Sequence, residues 1–168
     1  GGIFQEEQIT DENGNGVAVK DVVIGNTYKS YFIEGSPDSD LPSVFTEWSD
    51  TYDSEGNGFP SGSYETNSEL INKFVQPLDK NMISNVTVGS GESTTSFRVS
   101  PTQHILVHEQ STNLLRYKSI YELVPNEDHL VRVSGESIPT VSNTIEILDG
   151  DYSSVVLDLE PGDTFLLH

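Results

Sequence analysis

The chain contains no cysteine. That removes disulfides, thiolate nucleophiles and sulfur-ligated zinc together, so any nucleophile it uses is an oxygen. Basic residues are scarce: 8 Lys and Arg stand against 27 Asp and Glu, a net charge of −19. Such a surface repels nucleic acid and anionic membranes, and no nucleic-acid or membrane partner is expected. No apolar run is long enough to span a bilayer, and the first residues lack the basic-then-apolar pattern of an export signal; a cytoplasmic location is the corresponding expectation. Four histidines, at positions 104, 108, 129 and 168, are scattered and unsupported by cysteine. Carboxylates are plentiful, yet no metal site and no cofactor is expected from this distribution.

What is present is β patterning. At 168 residues the chain suits one domain with a core of its own, expected as a monomer over 1–168. Short apolar runs alternate with turn chemistry at intervals of about ten residues, which predicts an all-β sandwich or barrel-like domain. Asp11-Glu12-Asn13-Gly14-Asn15-Gly16 carries two Asn-Gly steps and reads as a hairpin turn. It also mimics the opening of a calcium loop, as does Asp53 to Gly58, but the twelfth positions hold Val22 and Tyr64 where a bidentate Glu is needed. From Glu34 to Glu69 the composition turns acidic and rich in Ser, Gly and Pro, with Trp48 embedded, which predicts a loop-rich insertion. Ser68 to Phe74 reads as a short helical turn stopped by Pro77. Met82 to Val88 and Ser96 to Val107 read as a hairpin whose second strand carries His104, and Tyr117 to Leu123 as a single helical or 3₁₀ turn.

Within that hairpin the polar step Ser100-Pro101-Thr102-Gln103-His104 interrupts an apolar, strand-like run. An imidazole and a hydroxyl in such a place cost stability unless both are hydrogen-bonded, which marks the step as a candidate site. Taken alone, a histidine beside an apolar run is more often a satisfied structural residue than a catalyst.

In order, the blocks of this chain resemble the Hint domain of inteins and Hedgehog autoprocessing proteins. The resemblance covers most of the chain. Gly2 to Thr10 followed by Asp21-Val22-Val23-Ile24-Gly25-Asn26 is similar to the family's first block, which opens on a nucleophile. Ser100 to Val107 looks like the second, whose form is T-x-x-H followed by apolar residues. Lys118 to Val133 is similar to the turn-and-strand stretch after it, and Val155 to Glu160 with Thr164 to His168 resembles the last blocks, which end His-Asn.

The resemblance implies a horseshoe-like β fold with pseudo-two-fold symmetry, and protein splicing by N-to-O acyl shift, transesterification and Asn cyclisation. It places His104 as the group that protonates the departing nitrogen, Ser100 or Thr102 as the orienting hydroxyl, Asp163 as a late acid-base residue and His168 as the penultimate histidine. The flanking segments in cis, or a complementary fragment in trans if the domain is split, are the implied partners. This chain departs from the family at Gly2, where Cys or Ser is expected, at Pro101, three before His104, and in having no Asn after His168. Gly1 then stands as the last residue of the upstream segment. A turn at Pro161-Gly162-Asp163 that returned the last strand beside Val155 to Leu159 favours His168 as penultimate. The alternatives are a Hedgehog-like domain that cleaves without joining, and a non-catalytic acidic β domain that binds Ca²⁺.

Overall fold

Turn chemistry near the start sets the first feature. Asp11 Oδ1 accepts the amides of Asn13 and Asn15 at 2.9 and 2.8 Å, closing the turn with its own carboxylate. The computed structural model describes residues 1–33, 44–47, 63–131, 137–160 and 164–165. In chain order the strands are β1 (Ile3–Phe4), β2 (Gln8–Thr10), β3 (Gly16–Ala18), β4 (Thr27–Ile33), β5 (Val44–Glu47), β6 (Ser63–Pro77) and β7 (Met82–Ser90). They continue with β8 (Ser93–Val99), β9 (His104–Glu109), β10 (Leu114–Ser119), β11 (Asp128–Val131), β12 (Ser137–Ile147), β13 (Ser153–Glu160) and β14 (Thr164–Phe165). Short 3₁₀ turns cover Val19–Asp21, Asp79–Asn81 and Ile120–Glu122.

The expected all-β class is what the described residues show. Twelve strands form one sheet in the order β14-β4-β6-β13-β1-β8-β7-β12-β11-β9-β10-β5, and β2 pairs with β3. The order is symmetric about its centre. β4-β6-β13-β1 on one side mirrors β11-β12-β7-β8 on the other, and the β2–β3 pair corresponds to β9–β10. The pseudo-dyad passes through the pairing of Ile3 with Val99. Hydrogen bonds repeat across it: Glu7 N–H donates to Phe4 O at 2.9 Å and Gln103 N–H to Ser100 O at 3.0 Å. Val19 N–H donates to Glu7 O at 2.8 Å, and Ile120 N–H to Gln103 O at 2.9 Å. Each half buries its own core, one around Ile3, Ile9, Val19, Leu70 and Val155, the other around Val86, Val99, Val107, Ile120 and Leu130.

Three expectations are corrected. Ser68 to Phe74 is not a helical turn but the middle of β6, paired on one side with β4 and on the other with β13. Ser68 and Leu70 are buried while Asn67, Glu69 and Ile71 are exposed, a period-two pattern fixed by two neighbouring strands rather than by local propensity. His104 is not inside the hairpin strand: β8 ends at Val99, residues 100–103 turn, and His104 opens β9. Pro101 lacks the N–H that a continuous ladder would need. Thr164–Phe165 pairs with Ser30 and Tyr31 of β4, not with β13, which removes the argument that made His168 penultimate. Within the segment 34–69, expected to be loop-rich, Val44–Glu47 forms an edge strand on β10 and residues 63–69 belong to β6. Positions 34–43 and 48–62, including Asp53 to Gly58, lie outside the described residues.

Candidate functional site

The site lies where β1 meets β8. Pairing of Ile3 with Val99, and the Ser100 N–H donated to Gly2 O at 2.9 Å, set residues 1 and 2 against the turn at residues 100–103. Gly2 is buried and takes φ +117°, which swings the Gly1–Gly2 peptide off the line of β1. Only a residue without a Cβ adopts that geometry readily here: a Cβ at position 2 would stand 3.0 Å from both Cβ and Oγ of Ser154.

Side chains then hold this peptide from several directions. Gly2 N–H donates to Gln103 Oε1 at 2.7 Å, while Gln103 Nε2 donates to the His104 carbonyl at 3.0 Å and so fixes which amide atom faces Gly2. Gly1 O accepts Gln76 Nε2 at 2.9 Å, with Ser154 Oγ 3.5 Å away. The Gly1 ammonium donates to Thr102 Oγ1 at 3.0 Å, and Ser100 Oγ lies 3.1 Å from the same Thr102 oxygen. Among the described residues, every side chain hydrogen-bonded to this peptide is neutral. These side chains orient an amide and polarise its carbonyl, and none of them transfers a proton near neutrality.

The structure therefore brings Gly2, Ser100 and Thr102 together and places His104 elsewhere. His104 is half-buried, and its Nε2 lies 3.3 Å from Ser119 Oγ, the side chain's hydrogen bond among the described residues. Asp163 and His168 lie outside the described residues. The residue that sequence reasoning missed is Gln103. Its signal was present, because the spacing T-x-x-H counted from Ser100 lands on Gln103, one position before His104.

A second polar cluster, on β9, β10 and β11, is structural. Buried Glu109 pairs with Arg116 at 2.9 Å and Lys118 at 2.7 Å, and Lys118 pairs with buried Asp128 at 2.8 Å. The Lys118 hydrogen bond, then that of Thr112, holds the Glu109 carboxyl at about 2. His108 Nε2 meets Asn113 Oδ1 at 2.8 Å and its Nδ1 meets Gln110 Nε2 at 3.2 Å. Burial, with His108 beside it, lowers the His129 pKa. Among the described residues no group of three or more His, Asp or Glu is placed to hold a metal ion, and no helix is long and apolar enough to cross a membrane.

No family profile and no curated protein matches the sequence. Solved structures do match. The bacterial intein-like domain from Clostridium thermocellum superposes with a TM-score of 0.63 at 11% identity, over 99% of this chain and 96% of that one. A DnaB intein from Synechocystis sp. PCC 6803 gives 0.58 at 14% identity, again over 99% and 96%. These likenesses establish the fold: the described residues have the Hint fold of these inteins.

Proposed function

On that fold, we propose that the chain is an intein-type splicing domain whose N-terminal junction is bound but not opened. The observation that carries the reading is Gln103 Oε1 on the Gly2 amide at 2.7 Å, at the point where the second block meets the first. In the resembling family this place belongs to the histidine that protonates the departing nitrogen. An amide oxygen accepts a hydrogen bond and gives no proton. Gly2 likewise offers no oxygen or sulfur to attack the Gly1 carbonyl. Both partners of the first acyl shift are therefore replaced by residues that hold the peptide without its chemistry.

Ser100 and Thr102 orient the upstream side of the junction, and His104 acts through Ser119 as a positioning residue. Asp163 and His168 keep their proposed roles in the later steps, and the partners are the segments flanking the domain in cis.

The test restores the chemistry. Gly2→Ser and Gln103→His are introduced with Asn after His168, the domain is placed between two peptide tags of which the downstream one begins with Ser to accept the acyl group, and the products are weighed. The serine oxygen attacks the carbonyl carbon of residue 1 and its proton passes to the imidazole introduced at position 103; the bond from that carbon to the position-2 nitrogen then breaks, and the imidazolium gives the proton to the nitrogen. Joined tags and a free domain are expected, with Gly2→Ser alone at least about tenfold slower than the pair, since a positioned acid is worth about 10²–10⁴. Cleavage without joining would replace splicing by Hedgehog-like autocleavage. A folded but inert chain would overturn the reading in favour of a non-catalytic β domain.

A further inference from the structure

The carbonyl side of the same peptide is held by side chains of two strands. We infer that Gln76 and Ser154 form a built carbonyl-binding pair for the residue preceding position 2, and that they are the oxyanion donors for any acyl transfer at that carbon. The inference rests on the reading of residues 1 and 2 as a junction.

The geometry comes from the sheet. Gln76 on β6 and Ser154 on β13 are directly opposite each other in the antiparallel register, so their side chains rise from the same face side by side. Both reach Gly1 O, Gln76 Nε2 at 2.9 Å and Ser154 Oγ at 3.5 Å, and they touch each other at 3.4 Å. Ser154 is 3% exposed. Its hydroxyl is therefore placed by packing as well as by hydrogen bonds.

The pseudo-dyad supplies a comparison within the molecule. Gly1–Gly2 maps onto Phe97–Arg98, which runs inside the β7–β8 ladder with Phe97 opposite Val86 and Arg98 opposite Asn85. At Gly1 the ladder is gone, because φ +117° at Gly2 turns the chain away from β13. Two side-chain donors stand where the ladder would have stood. That exchange matters chemically. A ladder partner is fixed for a planar carbonyl, whereas side-chain donors can follow the oxygen as attack makes the carbon tetrahedral and moves the electron pair onto it. On collapse the pair returns, the bond to the position-2 nitrogen breaks as that nitrogen takes a proton from an acid at position 103, and the donors release a neutral carbonyl.

Gly1–Gly2 is the only Gly-Gly step in the chain. Protein grown on glycine carrying ¹⁵N and ¹³C at the carbonyl therefore gives one amide–carbonyl correlation, joining Gly2 N–H to Gly1 C′. Gln76→Leu and Ser154→Ala are each expected to move the Gly1 carbonyl carbon upfield while Gly2 H stays in place, and Gln103→Leu to move Gly2 H instead. An unmoved carbonyl in both carbonyl-side variants, with the remaining spectrum intact, overturns the inference. In the chain restored at positions 2 and 103, Gln76→Leu should slow formation of the hydroxylamine-sensitive ester about 100-fold. If that chain is inert while the carbonyl still responds, the proposed function falls and the carbonyl pair stands. If it processes at an unchanged rate in Gln76→Leu, the pair falls alone.

Discussion

Glu7 and Gln103 occupy equivalent places about the pseudo-dyad and perform the same task. Glu7 Oε1 accepts the Arg98 amide at 2.7 Å, and Gln103 Oε1 accepts the Gly2 amide at 2.7 Å. One end of the device is charged and secures a strand interior. The other is neutral and secures the peptide at the candidate junction. The fold thus presents the same amide clamp twice, with only one copy at a place where bond cleavage would separate two segments.

The charge on Glu7 has a measurable cost. Burial raises its pKa above the ordinary 4.5, partly offset by the Arg98 amide and the Arg98 charge. A carboxyl raised in the folded state binds its proton more tightly there, so its contribution to stability falls as pH rises from the unfolded value through the folded one. Glu7→Gln keeps the acceptor and drops the charge. It should match or exceed the parent in urea unfolding at pH 7, with the difference vanishing on acidification below the carboxylate range. Glu7→Ala leaves the Arg98 amide without its acceptor and should lose about 1–3 kcal/mol.

Gly2→Ala should loosen the junction locally. A methyl at φ +117° and 3.0 Å from Ser154 adds strain of about 1–3 kcal/mol. Hydrogen exchange of the residue-2 amide should accelerate roughly tenfold or more, with little change in global unfolding. Adding Ser154→Gly should recover part of that protection by removing the steric component and leaving the φ component.

The Glu109 carboxyl predicts acid sensitivity of the opposite sign from Glu7. Its pKa is lowered from 4.5 to about 2, by Lys118 first. A depressed carboxyl stabilises fully above its unfolded value and loses that contribution as pH falls toward the folded one, here between about 4.5 and about 2. Burial pulls Lys118 down, but its hydrogen bonds to Asp128 and Glu109 outweigh it and the net shift is upward. Lys118→Met leaves buried Asp128 without its cation and Glu109 with Arg116 alone, and should cost about 3–5 kcal/mol at pH 7, read from the urea midpoint. Glu109→Gln should flatten the stability profile across that acid window.

The two halves also predict each other's tolerance. Gly25 takes φ +96° and its N–H donates to Leu70 O at 2.8 Å; Asn126, its dyad mate, takes φ +67° and donates to Thr140 O at 2.7 Å. Asparagine accepts that region and β-branched residues do not. Gly25→Asn should stay within about 0.5 kcal/mol of the parent, and Gly25→Val should lose about 1–2 kcal/mol, both read by urea denaturation.

Short apolar runs and Asn-Gly steps made the all-β class legible, and the β2–β3 hairpin follows from Asp11 to Gly16 because those residues close a turn with their own atoms. Long-range pairing was less legible. Ser68 to Phe74 carries a local helical pattern, and only two flanking strands, remote in sequence, make it the centre of a sheet. At the site, histidine chemistry drew attention to His104, while the side chain on the Gly2 amide is that of its neighbour Gln103. A turn of four residues at 100–103 presents Gln103 to Gly2 and sends the next side chain toward Ser119. Spacing, rather than residue type, held that information.

The two-residue strand β1 joins the halves of the large sheet through one residue pair with β8, Ile3 to Val99. In mechanical terms it is the thinnest section of a beam whose two ends are thick. Tension applied through residue 1 is delivered to that section before it reaches either core. The ladder there has few bonds to share the load, so pulling on the upstream segment would peel the junction peptide from Gln103 and Gln76 while both lobes remain folded. A junction seated on the seam can therefore be strained by its neighbour without unfolding its host.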